Sequence, residues 1–283
     1  MLLTSAYDDL RAGSFLGGDN WLLSELLADN INGNGLTGDW LSYYNRRTHI
    51  FNGSTRNYWR EPYIMIYRVN LVLAHRDIVS DLSQEEHDRM TGECLLLRGI
   101  GHFELVRMFG QAYAPNQTND QLGVPVRLAA NADPLDRSSV EDVYAQVIAD
   151  MEQAVELLPE DNGAYVNKWS AKGYLARVYF QMNDFENAFA YANDIIENGP
   201  FALEPDLTQR WIPGGTSENV MELVSINASN TSSGSLISHY RSDNSRPNVI
   251  LSKQAYLAAT ADTADLLSLI HISEPTRLEG IAY

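Results

Sequence analysis

The spacing of apolar residues over residues 169–200 predicts two short helices packed against each other. The first helix is expected to begin at about Ala171, because Ser170 can cap its first turn. Asn183-Asp184 then turns the chain and can cap a second helix, which ends at Gly199-Pro200. A lone helix pair cannot cover its own apolar face, so we expect further helices to pack against it.

This pair resembles a tetratricopeptide unit. The residues at matching offsets are Leu175, Ala176, Tyr179, Ala188 and Ala192. Two positions depart from the pattern, since Lys172 stands at the usual Trp position and Ile195 at the late Ala position. A peptide-binding scaffold would repeat the unit about every 34 residues, and this chain does not repeat it cleanly. A peptide-binding adaptor and a helical scaffold for another kind of site therefore both remain open.

Two segments upstream also carry helical patterns. Residues 139–158 begin with a capping box of Ser139 and Asp142. Residues 93–110 are apolar on nearly all sides, which predicts a central helix whose glycines, Gly99 and Gly101, allow another helix to come close. Arg98 is the only basic residue in the apolar part of this helix, so we expect it to pair with a carboxylate.

Composition narrows the class of protein. At 283 residues, with 45% hydrophobic, the chain can bury one large core or two small ones. Its net charge of -17 disfavours nucleic acid as a partner. The single cysteine, Cys94, excludes an internal disulfide, and its apolar surroundings predict an inert buried thiol. No segment approaches the roughly 20 apolar residues of a membrane span, and the N-terminus lacks a signal-peptide pattern.

A succession of motifs resembles the SusD/RagB family over roughly residues 5–265. It begins with the spacing of Trp59, Tyr63, Ile66 and Asn70, of which Trp59 and Tyr63 are expected to face the core. It continues with "LLLRG", "FELVRMFG", "GVPV", "RSSVEDVYAQVIADMEQAVELLP", "KWSAKGYLARVYFQMNDFENAFAYANDIIENGPFAL" and "SENVMELV". Tyr67, four residues after Tyr63, is expected to face the core as well.

The resemblance implies a mostly α fold, in which tetratricopeptide-like helix pairs form a scaffold with irregular loops and a few short strands. It implies a surface-exposed lipoprotein of the Bacteroidetes outer membrane that binds glycans without catalysis and partners a SusC-like TonB-dependent transporter. The signal peptide and lipidated Cys of the family are absent from this chain, so membrane attachment is an implication of the resemblance alone.

The C-terminal end departs from the family pattern. We expect residues 1–267 to form a single SusD-like domain corresponding to the N-terminal portion of the family fold. Residues 268–283 match nothing at that point of the family and are expected to be a non-native tail. A chain without the rest of the fold is expected to expose apolar surface and to aggregate when expressed alone.

Two segments are candidates for sugar binding, in which aromatic rings stack on sugars while polar side chains bind hydroxyls. Residues 26–47 are rich in Asn and Gly and then in aromatic residues. The candidates there are Asp29, Asn30, Trp40, Tyr43 and Tyr44, with packing under the loop as the alternative role for the aromatic rings. Residues 226–248 follow an expected strand, 220–226, and offer Tyr240 and Arg241, with a flexible connection as the alternative.

The sequence disfavours metal binding and catalysis. Residues 30–35 match only the first half of a calcium loop, and position twelve of that loop would be Leu41. The six histidines show no metal-ligand spacing, and no catalytic or nucleotide-binding motif is present. The sequence therefore predicts no metal, no cofactor and no catalytic residue. A glycoside hydrolase, which needs two opposed carboxylates on sugar-facing positions, is the less favoured rival beside the peptide-binding adaptor.

Overall fold

The computed structural model describes residues 2–78, 82–206, 216–223, 251–259 and 261, and these residues are mostly helical. The α-helices within these ranges are α1 Leu2–Leu10, α2 Asp19–Leu27, α3 Gly38–Tyr44, α4 Gly53–His75, α5 Gln84–Phe109, α6 Val140–Leu157, α7 Lys168–Gln181, α8 Phe185–Asn198 and α9 Lys253–Ala259. A short 3-10 helix, Arg76–Ile78, follows α4. The predicted mostly α fold is confirmed.

The central position expected for α5 is confirmed. Every residue from Thr91 to Val106 is buried, because α4 and α6 pack along its length and α1 and α7 contact it as well. Its glycines allow these approaches: a Cβ at Gly99 would lie 3.0 Å from Met151 Cγ on α6, and one at Gly101 would lie 3.0 Å from Ile66 on α4. A side chain at either position would have to push aside Met151 on α6 or Ile66 on α4.

The charge of Arg98 is paired inside the protein, as predicted. Arg98 donates to both carboxylate oxygens of Asp150 on α6, at 2.8 and 2.7 Å, and to Asn70 Oδ1 on α4 at 3.0 Å. Asn70 in turn donates to the Arg127 carbonyl at 3.0 Å. One buried guanidinium therefore ties α4, α5 and α6 together.

Helices α5 to α8 form an array in which each helix packs against the next. The predicted pair is present as α7 and α8, and Asp184 caps α8 as expected. Helix α7 begins at Lys168, three residues before the predicted start, so that expectation was wrong. Asn167 is the N-cap, because its Oδ1 accepts from the Ser170 backbone at 2.9 Å, and Ser170 lies inside the first turn.

The irregular segment between α5 and α6 lies across α4 and α5. Tyr63 donates to the Pro125 carbonyl at 2.9 Å, and His102 Nε2 accepts from the Arg127 backbone at 3.1 Å. Among the described residues, β-structure is limited to isolated bridges. One of these bridges joins Leu122 to Ser139. The strand expected at residues 220–226 is absent from its described part, residues 220–223.

Two further core expectations have different outcomes. Cys94 is buried, and burial raises the pKa of its thiol to about 12, as expected for an inert thiol. Trp59 and Tyr63 pack against the core, but Tyr67 is 44% exposed, so its predicted core position was wrong. Each step of four residues turns a helix about 40° beyond a full turn, and two such steps carry Tyr67 away from the buried face.

Candidate functional site

The Asn- and Gly-rich segment after α2 and the short helix α3 bring the five N-terminal site candidates into one unit. Asp29 and Asn30 lie at the start of the segment, and Trp40, Tyr43 and Tyr44 lie on α3. A helix of seven residues is unstable alone, so its position must come from contacts with its neighbours. The other two candidates, Tyr240 and Arg241, lie outside the described residues, as does the tail at 268–283.

Trp40 and Tyr43 stack on each other, with ring centroids 6.2 Å apart and an interplanar angle of 30°. Trp40 is half-buried and packs partly against the core, whereas Tyr43 is only 7% exposed. The Tyr43 hydroxyl shares a hydrogen bond with Thr55 Oγ1, and burial raises the pKa of this tyrosine. Tyr43 therefore supports the Trp40 ring, and Trp40 offers the more accessible surface.

Tyr44 lies against the backbone of Gly33. A Cβ at Gly33 would lie 2.5 Å from Tyr44 Cε1, which is closer than such atoms can approach. The glycine is thus required for the half-buried ring to close over the segment that joins α2 to α3. The abundance of glycine in this segment has a packing reason as well as a conformational one.

Arg46 joins the ends of α2 and α3, a role that the sequence analysis missed. Its guanidinium donates to the carbonyls of Leu26 and Leu27 at 3.0 and 2.9 Å, and to those of Tyr43 and Tyr44 at 3.3 Å each. It also donates to Asp29 Oδ1 at 2.8 Å. The only sequence signal is a basic residue just after a helix, where it can bind the last carbonyls.

The N-terminus of α4 holds α3 from the other side. Asn52, which is 1% exposed, caps α4 by accepting from the Thr55 backbone at 2.8 Å, and it donates to Ser42 Oγ on α3 at 2.9 Å. Asp39 Oδ2 accepts from the Ser54 backbone at 2.9 Å. Helix α3 is therefore fixed between the end of α2 and the start of α4.

A distant part of the chain also reaches the segment that contains Asn30. The Asn30 carbonyl accepts from the Ser252 backbone at 2.7 Å, and Ile31 forms an antiparallel bridge with Leu251. The Asn30 side chain donates to Glu25 at 2.8 Å. Asn30 therefore helps to build the fold around the site in addition to any contact with a ligand.

The carboxylates around the site are engaged in contacts of the fold. Asp29 pairs with Arg46, Asp39 binds the start of α4, and Glu25 accepts from Asn30. Among the residues that the structure describes, no group of three or more His, Cys, Asp or Glu side chains could hold a metal ion. Over the same ranges, no helix is both long and apolar enough to cross a bilayer. The arrangement presents an aromatic surface with polar edges, which suits binding of a polyhydroxylated ligand.

The fold is that of a helical protein, and comparison with known families identifies its class. The SusD-like family model described as "Starch-binding associating with outer membrane" matches residues 2–180. Because the match covers more than half of the chain, this protein belongs to the SusD-like family.

Similar proteins are found among both curated sequences and solved structures. "SusD-like protein P2" of Formosa agariphila is 26% identical over 211 residues, which are 72% of this chain and 40% of that protein. A SusD superfamily structure from Bacteroides thetaiotaomicron is 25% identical, with a TM-score of 0.81, and covers 92% of this chain and 61% of that one. A structure named "Laminarin binding SusD-like protein" is 21% identical with a TM-score of 0.60, over 74% of this chain and 46% of that one. The chain thus spans less than two thirds of each of these relatives.

Proposed function

We propose that this chain is the glycan-binding part of a non-catalytic uptake protein on the outer membrane surface. In this proposal it binds oligosaccharides and delivers them to a SusC-like TonB-dependent transporter. The observation that carries the proposal is membership of a family described as starch-binding and associated with the outer membrane. A laminarin-binding protein of the same fold supports a carbohydrate ligand.

We place the binding surface on the unit formed by the C-terminal end of α2, the segment that follows it and α3. Trp40 supplies the ring on which a sugar stacks, since it is half-buried and held by Tyr43. Asp29 is more exposed than Asn30, with 79% of its side chain accessible, and can accept from a sugar hydroxyl while it pairs with Arg46. Tyr240 and Arg241 remain proposed contacts from the second segment.

Two rival functions are less well supported. A glycoside hydrolase needs two opposed carboxylates that face the sugar. Asp39 and Glu25 are half-buried and bind the Ser54 backbone and the Asn30 side chain, so Asp29 is the exposed one of the three. A peptide-binding adaptor is favoured by one observation, the exposed apolar side chains Phe185 and Phe189 on α8. In our proposal this apolar face of α8 belongs to the scaffold that contacts the transporter.

Binding measurements on matched tryptophan variants test the proposal. A glycan array on the purified chain identifies a ligand, and calorimetry compares the wild type with Trp40→Ala and Trp21→Ala. Trp21 is a suitable control because it is 52% exposed and lies near the other end of α2. We expect Trp40→Ala to lose most of the affinity and Trp21→Ala to keep it.

Melting curves separate loss of the site from loss of the fold. A fully buried Trp changed to Ala would cost about 3–5 kcal/mol, and we expect a much smaller loss at the half-buried Trp40. Unchanged affinity in Trp40→Ala would remove this residue from the site. A folded wild-type chain that binds no glycan on the array would refute the proposed function.

A further inference from the structure

The chain contains five asparagines that directly precede a glycine. They are Asn32, Asn34, Asn52, Asn162 and Asn198. An asparagine side chain lies close to the backbone nitrogen of the next residue, and a glycine there has no side chain to hinder contact between them. The fold places the five pairs in different surroundings, so their side chains are not equally free to react.

The pair Asn34-Gly35 lies in an open turn between α2 and α3. The Leu36 backbone donates to the Gly33 carbonyl at 3.2 Å, which places Asn34 and Gly35 at the two central positions of the turn. Both residues are exposed, and a Cβ built on Gly35, whose φ is +92°, would meet nothing within 4 Å. This peptide can therefore rotate without displacing a neighbour.

No hydrogen bond holds the reacting groups of this pair over the described ranges. Among these residues, Asn34 bonds only through its backbone, which donates to Asn32 Oδ1 at 3.0 Å. The Gly35 amide donates to none of them. The Asn34 side chain and the Gly35 nitrogen are therefore free to approach each other.

The pair Asn32-Gly33, two positions earlier, is held in place. The same hydrogen bond engages Asn32 through its side-chain oxygen. The ring of Tyr44 lies against Gly33, where a Cβ would be 2.5 Å from Tyr44 Cε1. Rotation of this peptide would have to move the ring.

The pair Asn52-Gly53 is held most firmly at its asparagine. Asn52 is 1% exposed, and its Oδ1 accepts from the Thr55 backbone at 2.8 Å and from the Thr55 hydroxyl at 3.0 Å. Its Nδ2 donates to Ser42 Oγ at 2.9 Å. The side chain must break these hydrogen bonds before it can turn toward its own backbone.

In the remaining two pairs, the glycine nitrogen is engaged. The Gly163 amide donates to Asp161 Oδ1 at 2.9 Å, and the Gly199 amide donates to the Ile195 carbonyl at 3.0 Å. Both asparagine side chains also donate to carboxylates. Only the pair at Asn34 combines exposure, an open turn and unbonded reacting groups.

We propose that Asn34 is a site of spontaneous deamidation, with the Gly35 backbone nitrogen as the nucleophile. This nitrogen attacks Asn34 Cγ and forms a C–N bond, the bond from Cγ to Nδ2 breaks, and Nδ2 leaves as ammonia with the proton that the Gly35 nitrogen loses. Water then opens the resulting succinimide ring at either of its carbonyls and gives aspartate or isoaspartate. The reaction consumes one water and releases one ammonia, and nothing is oxidised or reduced.

The product changes the segment that carries the candidate site. Either form adds a carboxylate to the exposed turn, and isoaspartate also lengthens the backbone between Gly33, which packs against Tyr44, and Leu36, which is 6% exposed. The modification alters the charge and the backbone of this segment as the protein ages. This inference does not depend on glycan binding.

Peptide mapping by mass spectrometry tests the proposal on the full-length chain. The folded protein is incubated in a mildly alkaline buffer, and conversion is followed at all five asparagines. We expect Asn34 to convert at least about ten-fold faster than Asn52, a difference of about 1.4 kcal/mol in barrier. In concentrated urea this difference should disappear, because the hydrogen bonds of Asn52 are lost.

The products and one variant test the role of the Gly35 nitrogen. Passage through the ring gives isoaspartate as well as aspartate, whereas direct hydrolysis of the side chain gives aspartate alone. Asn34→Gln keeps an exposed amide but would have to form a larger ring, so isoelectric focusing should show most of the acidic species lost. Circular dichroism should show the same melting temperature for this variant and the wild type.

Three results would overturn the proposal. The first is an Asn34 side chain that survives as long as that of Asn52 in the folded protein. The second is aspartate without isoaspartate at Asn34, which would exclude the Gly35 nitrogen as the nucleophile. The third is an Asn34→Gln chain that acidifies at the rate of the wild type, which would place the reaction elsewhere.

Discussion

Removing the carboxylate of Asp150 should destabilise the protein strongly. Asp150→Ala leaves the Arg98 guanidinium charged between α4, α5 and α6, with the hydrogen bond to Asn70 Oδ1 at 3.0 Å still in place. The two side chains are only 10% and 3% exposed, so the guanidinium left behind has little access to bulk water. Breaking one partner of such a buried pair typically costs about 3–5 kcal/mol. That is a large share of the roughly 5–15 kcal/mol by which folded domains are stable.

Urea unfolding followed by circular dichroism measures this loss of stability, and two other variants serve as controls. Asp8→Ala removes an exposed partner of Arg11, from a pair whose side chains are 30% and 55% exposed, and should cost no more than about 1 kcal/mol. The double change Arg98→Met with Asp150→Leu removes both charges, so it should recover most of the stability lost in Asp150→Ala. If Asp150→Ala costs no more than Asp8→Ala, the reasoning about the buried charge is wrong.

Three further perturbations have defined outcomes. Arg46→Ala should weaken glycan affinity in calorimetry and lower stability by about 1–2 kcal/mol, while Arg46→Lys should recover part of both. Burial, with the nearby Arg98, lowers the pKa of His102 to about 3, so below pH 6.5 the unfolded state binds a proton that the folded state does not. Stability should therefore fall by up to about 1.4 kcal/mol per pH unit, and urea unfolding at pH 7 and pH 5 should show a smaller fall in His102→Gln. Gly99→Val should lower the urea midpoint, with a loss of about 1–3 kcal/mol, because its side chain would meet Met151.

The helical frame could be predicted because its signals are local. The apolar character of residues 93–110 required a central helix, and an arginine among apolar residues required a buried carboxylate. The pattern could not identify that carboxylate as Asp150, which lies 52 positions away. The start of α7 was placed too late because Asn167 and Ser170 are both good caps, and only the folded chain shows Asn167 in that position.

The sequence indicates which segment forms the candidate site but not how that segment is held. Asn, Gly and aromatic residues distinguish the segment, whereas Arg46 binds carbonyls up to 20 positions earlier in the chain. The exposure of Ile50, at 90%, and of Phe51, at 84%, could not be predicted either, because apolar residues next to a helix start usually belong to the core. Their exposure follows from the turn at His49 and from Asn52 as the cap of α4, and neither contact has a periodic pattern.

The way α3 is held explains why scaffold and site should respond differently to mutation. This helix has seven residues and depends on contacts with its neighbours, namely Arg46 at its end, the Asn52 contact with Ser42 and the Asp39 contact with Ser54. The neighbours α2 and α4 are in turn packed on the buried core around α5. A surface fixed in this way loses little freedom when a ligand binds, which favours affinity. Changes at the contacts of α3 should therefore alter affinity more than stability, and changes around α5 should alter stability first.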